Sequence, residues 1–175
     1  MVDLDPEYLA KVNPYIEQST ILRGQVLVNC TEVESIIGDI IGFHFFPKKD
    51  KERSKRVSLT ALLINESRLP FRTKITLFTK ILKLYHSKLF QSYPKLEENL
   101  DEVRELRNVI AHSRLDVGFK FVKKAKDQFR FDHYKNGKKE SKIITREQFR
   151  NYIKLSSSLV ISLIDIEKQI VDSKS

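Results

Sequence analysis

Apolar residues recur at steps of three and four along most of this chain, and that spacing constrains its fold more than any other feature. Ile75, Phe78, Leu82, Tyr85 and Leu89 give the clearest run. On a helix turning about 100° per residue these positions share one face, so the segment reads as an amphipathic helix with one side to bury. The same spacing at Leu22, Val26, Val33, Ile37 and Ile40 predicts a long first helix over 21–41. It runs into Phe43-His44-Phe45-Phe46 and stops at Pro47. Leu59 to Leu63 is worth a helical turn or two before Pro70. A further helix opens after Tyr93-Pro94, with Leu96, Leu100, Val103, Leu106 and Ile110 as its stripe and His112 near its end. Glu97, Glu98, Asp101 and Glu102 suit its positive N-terminal end. Thr145 and Gln148 form a capping box for a last helix that points Phe149, Ile153, Val160, Leu163, Ile164 and Ile170 inward, with a polar tail from Asp172.

Between the last two long helices the period changes to two. Gly118-Phe-Lys-Phe-Val-Lys and Phe129-Arg-Phe-Asp-His-Tyr alternate, and Asn136-Gly137 is a two-residue hairpin signal. Pairing across that turn sets His133 opposite Glu140 and Phe129 opposite Ile144. The expected fold is therefore mainly α, an up-and-down helical bundle in one domain over 1–175, with a small antiparallel β-meander inserted at about 117–144.

Composition agrees. A chain of 175 residues buries roughly 70% of its unfolded surface, enough for a core without disulfides or structural metal. The single cysteine, Cys30, cannot pair internally and reads as a small buried residue, which suits a reducing, cytoplasmic compartment. The start, Met-Val-Asp-Leu-Asp-Pro-Glu, lacks an apolar signal core, and no apolar run approaches the roughly 20 residues that span a bilayer. His44, His86 and His133 are spaced as structural or surface residues, and no metal or cofactor is expected.

The net charge of +9 resolves into two patches. Lys48 to Arg56 balances at +4 and Lys120 to Lys142 at +6, leaving −1 for the rest. Concentrated positive charge attracts a polyanion through counterion release, so RNA or DNA is one reading and a merely solvated surface is the other. The residues that would meet nucleic acid are Lys48, Lys49, Arg53, Arg56, Arg114, Lys123 and Lys124. Phe119, Phe121, Phe129, Phe131 and Tyr134, interleaved with lysines, fit the packed face of a sheet better than a base-stacking platform.

One segment carries chemistry. Arg107-Asn108-Val109-Ile110-Ala111-His112 ends the helix that starts at Leu96. Arg107 falls within the apolar stripe, so its guanidinium needs a carboxylate, carbonyl or phosphate partner. Glu32 or Glu34 of the first helix would supply an ion pair. His112 lies about 140° around the helix from Arg107, so one regular helix does not place them side by side. Two copies meeting about a two-fold axis would. A C-terminal helix cation is the plainer role for His112.

The Arg107–His112 stretch, with two helices before it and one after, resembles the HEPN superfamily, whose signature is Arg, four to six residues, then His, often with Asn after the Arg. The resemblance covers roughly 21–114 and 146–171. It implies a homodimeric, metal-independent endoribonuclease of toxin–antitoxin or antiphage type. Arg107 would bind the scissile phosphate, Asn108 would orient phosphate or His, and His112 would do acid–base chemistry at the 2′-hydroxyl. Members paired with nucleotidyltransferase antitoxins carry Tyr two residues after the His, where this chain has Arg114. A second layout, Thr31-Glu32, Leu62-Leu63, Lys74-Ile75 and Leu106-Arg107 through His112, is similar to mannitol operon repressor-like proteins. That resemblance implies a non-catalytic regulator or adaptor acting on protein or DNA.

Overall fold

A computed structural model describes residues 6–46, 53–59, 61, 69–135 and 137–173. The chain is mainly helical, with a three-stranded antiparallel sheet ahead of its last helix. In order the elements are α1 (Pro6–Phe45), α2 (Arg53–Leu59), α3 (Phe71–Tyr85), α4 (Ser87–Gln91), α5 (Leu96–His112), β1 (Arg114–Leu115), α6 (Phe119–Val122), β2 (Gln128–Lys135), β3 (Lys138–Thr145) and α7 (Arg146–Ser173). They form two compact units, Met1–Val28 with Glu105–Lys154 and Asn29–Arg104 with Leu155–Ser175.

α1 starts fifteen residues before the expected Ile21, at Pro6. Proline suits a first helical position because its missing N–H has no partner there anyway. The buried stripe simply extends upstream through Val12, Tyr15 and Ser19 to Val26. Pro14 lies inside the helix on its exposed side, and Ser19, although polar, is buried at 1% exposure as part of the packed face.

In the unit holding Asn29–Arg104, the core gathers Val33, Ile37 and Ile40 of α1, Phe78 and Leu82 of α3, Leu100 of α5 and Leu163 and Ile166 of α7. Cys30 is buried there as expected, with its sulfur 4.0 Å from the Val103 carbonyl oxygen. The helix read over Ile75–Leu89 is two. His86 leaves helical geometry at φ −137°, ψ 44°, which ends α3 and resets the phase, so Leu89 belongs to α4 and Tyr85 is exposed. The ammonium of Lys74 is buried on α3 and donates to the Glu34 carboxylate of α1. The Tyr93 hydroxyl donates to Asp165, which pushes its own pKa up to about 12.

In the other unit α5 keeps its stripe, with Leu106 and Ile110 buried. β2 and β3 pair in the expected register, Phe129 opposite Ile144 and His133 opposite Glu140. Gly137 carries the turn at φ +74°, a left-handed conformation that glycine adopts without steric cost. The third strand is not the Phe119–Lys123 run but Arg114–Leu115, paired with Asp132 and Phe131. Asp116 is the reason: its Oδ1 accepts from the Gly118 amide at 2.8 Å, and that turn starts one helical turn, α6, where alternation predicted a strand. Tyr15 stacks on Phe129 at 5.3 Å between ring centres, and Phe149 meets Phe129 and Phe131 edge-on. Phe129 and Phe131 are thus sheet core, as expected. The capping box is formed: the Thr145 amide donates to Gln148 Oε1 at 2.8 Å and the Gln148 amide to Thr145 Oγ1 at 3.1 Å. Within α7, Phe149, Leu163 and Ile170 are buried, whereas Ile164 is 50% exposed.

Candidate functional site

α5 is a regular helix through His112, so the five-residue separation puts Arg107 and His112 about 140° apart, as the sequence implies. Arg107 and Asn108 are half-buried and His112 is exposed. One chain therefore does not bring the three together on a single face. The Arg107 guanidinium donates from Nη1 to Asn108 Oδ1 at 3.5 Å, a long bond, and among the described residues no carboxylate pairs with it. The Glu34 carboxylate, one of the two partners expected for Arg107, takes Lys74.

Arg23 of α1 holds the end of α5, a contribution sequence reading missed. Its Nη2 donates to the carbonyl oxygen of Ile110 at 2.8 Å and to that of Ser113 at 3.4 Å, while its guanidinium lies 5.5 Å from the centre of the Phe131 ring. The last carbonyls of a helix lack intrahelical partners and carry partial negative charge, so a cation there fixes the terminal turn. His112 occupies that turn. The one hint in sequence is an arginine on the apolar flank of α1.

Beyond His112 the chain crosses into the sheet, and a cleft of about 550 Å³ opens, lined among others by His112, Arg114, Asp132, His133, Tyr134 and Lys139. Strand alternation explains part of this lining. Phe129 and Phe131 point into the core, so Arg130, Asp132 and Tyr134 take the opposite face of β2, with Arg114 beside Asp132 on β1. Asp132 is the hub: it receives Lys139 at 2.7 Å, Ser141 at 2.6 Å and Arg130 at 3.3 Å. Burial alone would raise its carboxyl pKa, but hydrogen bonds from Lys139 and Ser141 and the charges of Lys139 and Arg130 hold it below the usual aspartate value. Asp116 faces Arg130 at 3.5 Å, and His133 Nε2 lies 3.2 Å from Glu140.

Lys139 belongs to the second basic patch, which therefore reaches the cleft beside His112. Lys123 and Lys124 are exposed, Lys123 with its ammonium 5.5 Å from the centre of the exposed Phe119 ring. Of the first patch, Lys48 and Lys49 lie outside the described residues. Arg53 and Arg56 fall on α2. Among the described residues no three His, Cys, Asp or Glu side chains gather as metal ligands would, and no helix is long and apolar enough to cross a membrane.

Comparison of the chain with protein-family models, curated proteins and solved structures gives no match.

Proposed function

We propose that this chain is an RNA-binding protein of HEPN type that acts as a metal-independent endoribonuclease when two copies bring the ends of their α5 helices together. The observation that supports it most is the state of Arg107: half-buried near the end of a helix, with an amide oxygen as its hydrogen-bond partner and no carboxylate paired to it among the described residues. Guanidinium presents five N–H donors, and leaving a buried one without an anion costs several kcal/mol. A phosphodiester meets those donors in the geometry they favour.

In this reading Arg107 of one copy and His112 of the partner subunit face one phosphate. The histidine takes the 2′-hydroxyl proton, the 2′ oxygen attacks phosphorus, and Arg107 stabilises the charge that builds on the phosphorane. The bond to the 5′ oxygen breaks, that oxygen takes a proton from the second histidine of the pair, and a 2′,3′-cyclic phosphate remains. Asn108 orients Arg107. Lys123 and Lys124 add sequence-independent attraction for the backbone. A cognate antitoxin or regulatory protein fits such an enzyme, since uncontrolled RNA cleavage is toxic.

The test is incubation of the purified protein with RNA in EDTA. Cleavage that is lost in both Arg107→Ala and His112→Ala, and regained when the two inactive variants are mixed, supports a composite site. No cleavage of any RNA by the folded protein favours the regulator or adaptor reading.

A further inference from the structure

We infer that the cleft beside His112 binds single-stranded RNA, holding a phosphodiester on Arg114 and an unstacked base on Tyr134; this rests on the ribonuclease reading and names the form of its substrate. The groups left available in the cleft point to that ligand. Two carboxylates line the cleft, and both are occupied from within the fold: Asp132 by Lys139, Arg130 and Ser141, and Asp116 by Arg130 and the Gly118 amide. They do not repel an incoming phosphate as bare carboxylates would. Arg114 is exposed, and among the described residues its guanidinium has no hydrogen-bond or ion-pair partner. Tyr134 is 77% exposed at the same cleft, and its ring stacks on no other among the described residues. The open groups are thus a planar cation and an aromatic face, next to a histidine.

The sheet sets their spacing. Arg114 is opposite Asp132, and Tyr134 is two residues further along β2 on the same face, so the two positions are diagonal neighbours, roughly 7–8 Å apart at the backbone. One nucleotide can bridge that distance. Base stacking on an aromatic side chain requires a base freed from its neighbours, which a single strand offers and an A-form duplex does not. A cleft of about 550 Å³ has the volume of a small-ligand site and admits a nucleotide of a strand, not a helix.

The experiment is fluorescence anisotropy with a short labelled single strand made uncleavable by 2′-O-methyl groups, in EDTA, with unlabelled duplex RNA and free nucleoside monophosphate as competitors. Wild-type protein is expected to bind the strand. Arg114→Ala and Tyr134→Ala should each weaken it about ten-fold, Tyr134→Phe should retain it, and Arg114→Ala should lower the log–log salt slope by about 0.7. With cleavable RNA the two alanine variants should raise KM and leave kcat near wild type. Strand binding that neither variant changes overturns the cleft while leaving the ribonuclease reading standing. So does duplex RNA or free nucleotide competing as well as the strand. Weakened binding in both variants with no RNA ever cut keeps the cleft as a strand-binding site and overturns the nuclease. No strand binding by wild type overturns the inference.

Discussion

Arg107 donates to Asn108, its own neighbour on α5, at 3.5 Å, and the bond is weak because consecutive helical residues point about 100° apart. Asn108 therefore steers the guanidinium without satisfying it. Asn108→Ala should lower kcat/KM for RNA about ten-fold, and Asn108→Asp should not restore it, because a carboxylate there pairs with the guanidinium and repels the phosphate. Arg107→Ala removes the phosphate partner itself and should cost about 10²–10³-fold, with Arg107→Lys recovering little because an ammonium lacks the planar fork. Steady-state cleavage rates for the four variants check this; equal rates for Asn108→Ala and wild type would show that Asn108 does not position Arg107.

Arg23 makes a different prediction, since it bonds the backbone of the helix end and none of the side chains of Arg107, Asn108 and His112. Arg23→Leu keeps an apolar side chain at this position but removes the guanidinium from the Phe131 ring and leaves the Ile110 carbonyl oxygen without its charged donor. Hydrogen bonds to charged groups contribute roughly 1.5–3 kcal/mol, and a chain this size loses roughly 2–4 °C of Tm per kcal/mol. The cleavage rate should fall as the terminal turn carrying His112 loosens, while affinity for an uncleavable strand stays close to wild type. Calorimetry with the two assays separates this from general unfolding.

How much of this was legible depends on the range of the interaction. The α5 stripe, the Thr145–Gln148 capping box and the β2–β3 register involve residues within a few positions or across a two-residue turn, and the sequence carries them. α1 begins earlier than its apolar pattern predicts because Pro14 and buried Ser19 interrupt a pattern that packing continues. Phe119 and Phe121 alternate like a strand, yet Asp116 captures the Gly118 amide and the chain turns into a helix. Around the site, Arg107, Asn108 and His112 sit at the end of α5 as their spacing implied. The Asp116–Arg130–Asp132 cluster depends on a two-residue strand, β1, too short to leave a periodic signal. Arg23 reaches its partners across 87 residues, a separation that no local pattern encodes.

The buried pair of Lys74 and Glu34 should respond asymmetrically. Lys74 is 2% exposed and Glu34 22%, so removing the carboxylate strands the deeper charge. Glu34→Ala should destabilise by roughly 3 kcal/mol, and Lys74→Met by less, because the Glu34 carboxylate still reaches water. The double replacement Glu34→Leu with Lys74→Met should return close to wild type or above it. Urea denaturation of the three variants measures the coupling, and additive losses would mean the two side chains act independently.

Asp132 ties the cleft to pH. Its carboxyl is held below the usual aspartate pKa, so the unfolded chain takes up that proton more readily than the folded one. A depressed carboxyl contributes stability that is complete above the ordinary value near 3.8 and is lost as pH falls through the folded value. With its side chain only 12% exposed, Asp132 is not merely a surface partner of Lys139. Asp132→Asn should cost about 1–3 kcal/mol at neutral pH by weakening three polar contacts. The difference from wild type should narrow as the pH drops from 5 towards 2, where protonation makes the native side chain as neutral as the amide. Urea midpoints across that range check it. A difference that stays constant would show that the ionised form of Asp132 does not hold the hairpin face together and that its charge is not taken up by Lys139 and Arg130.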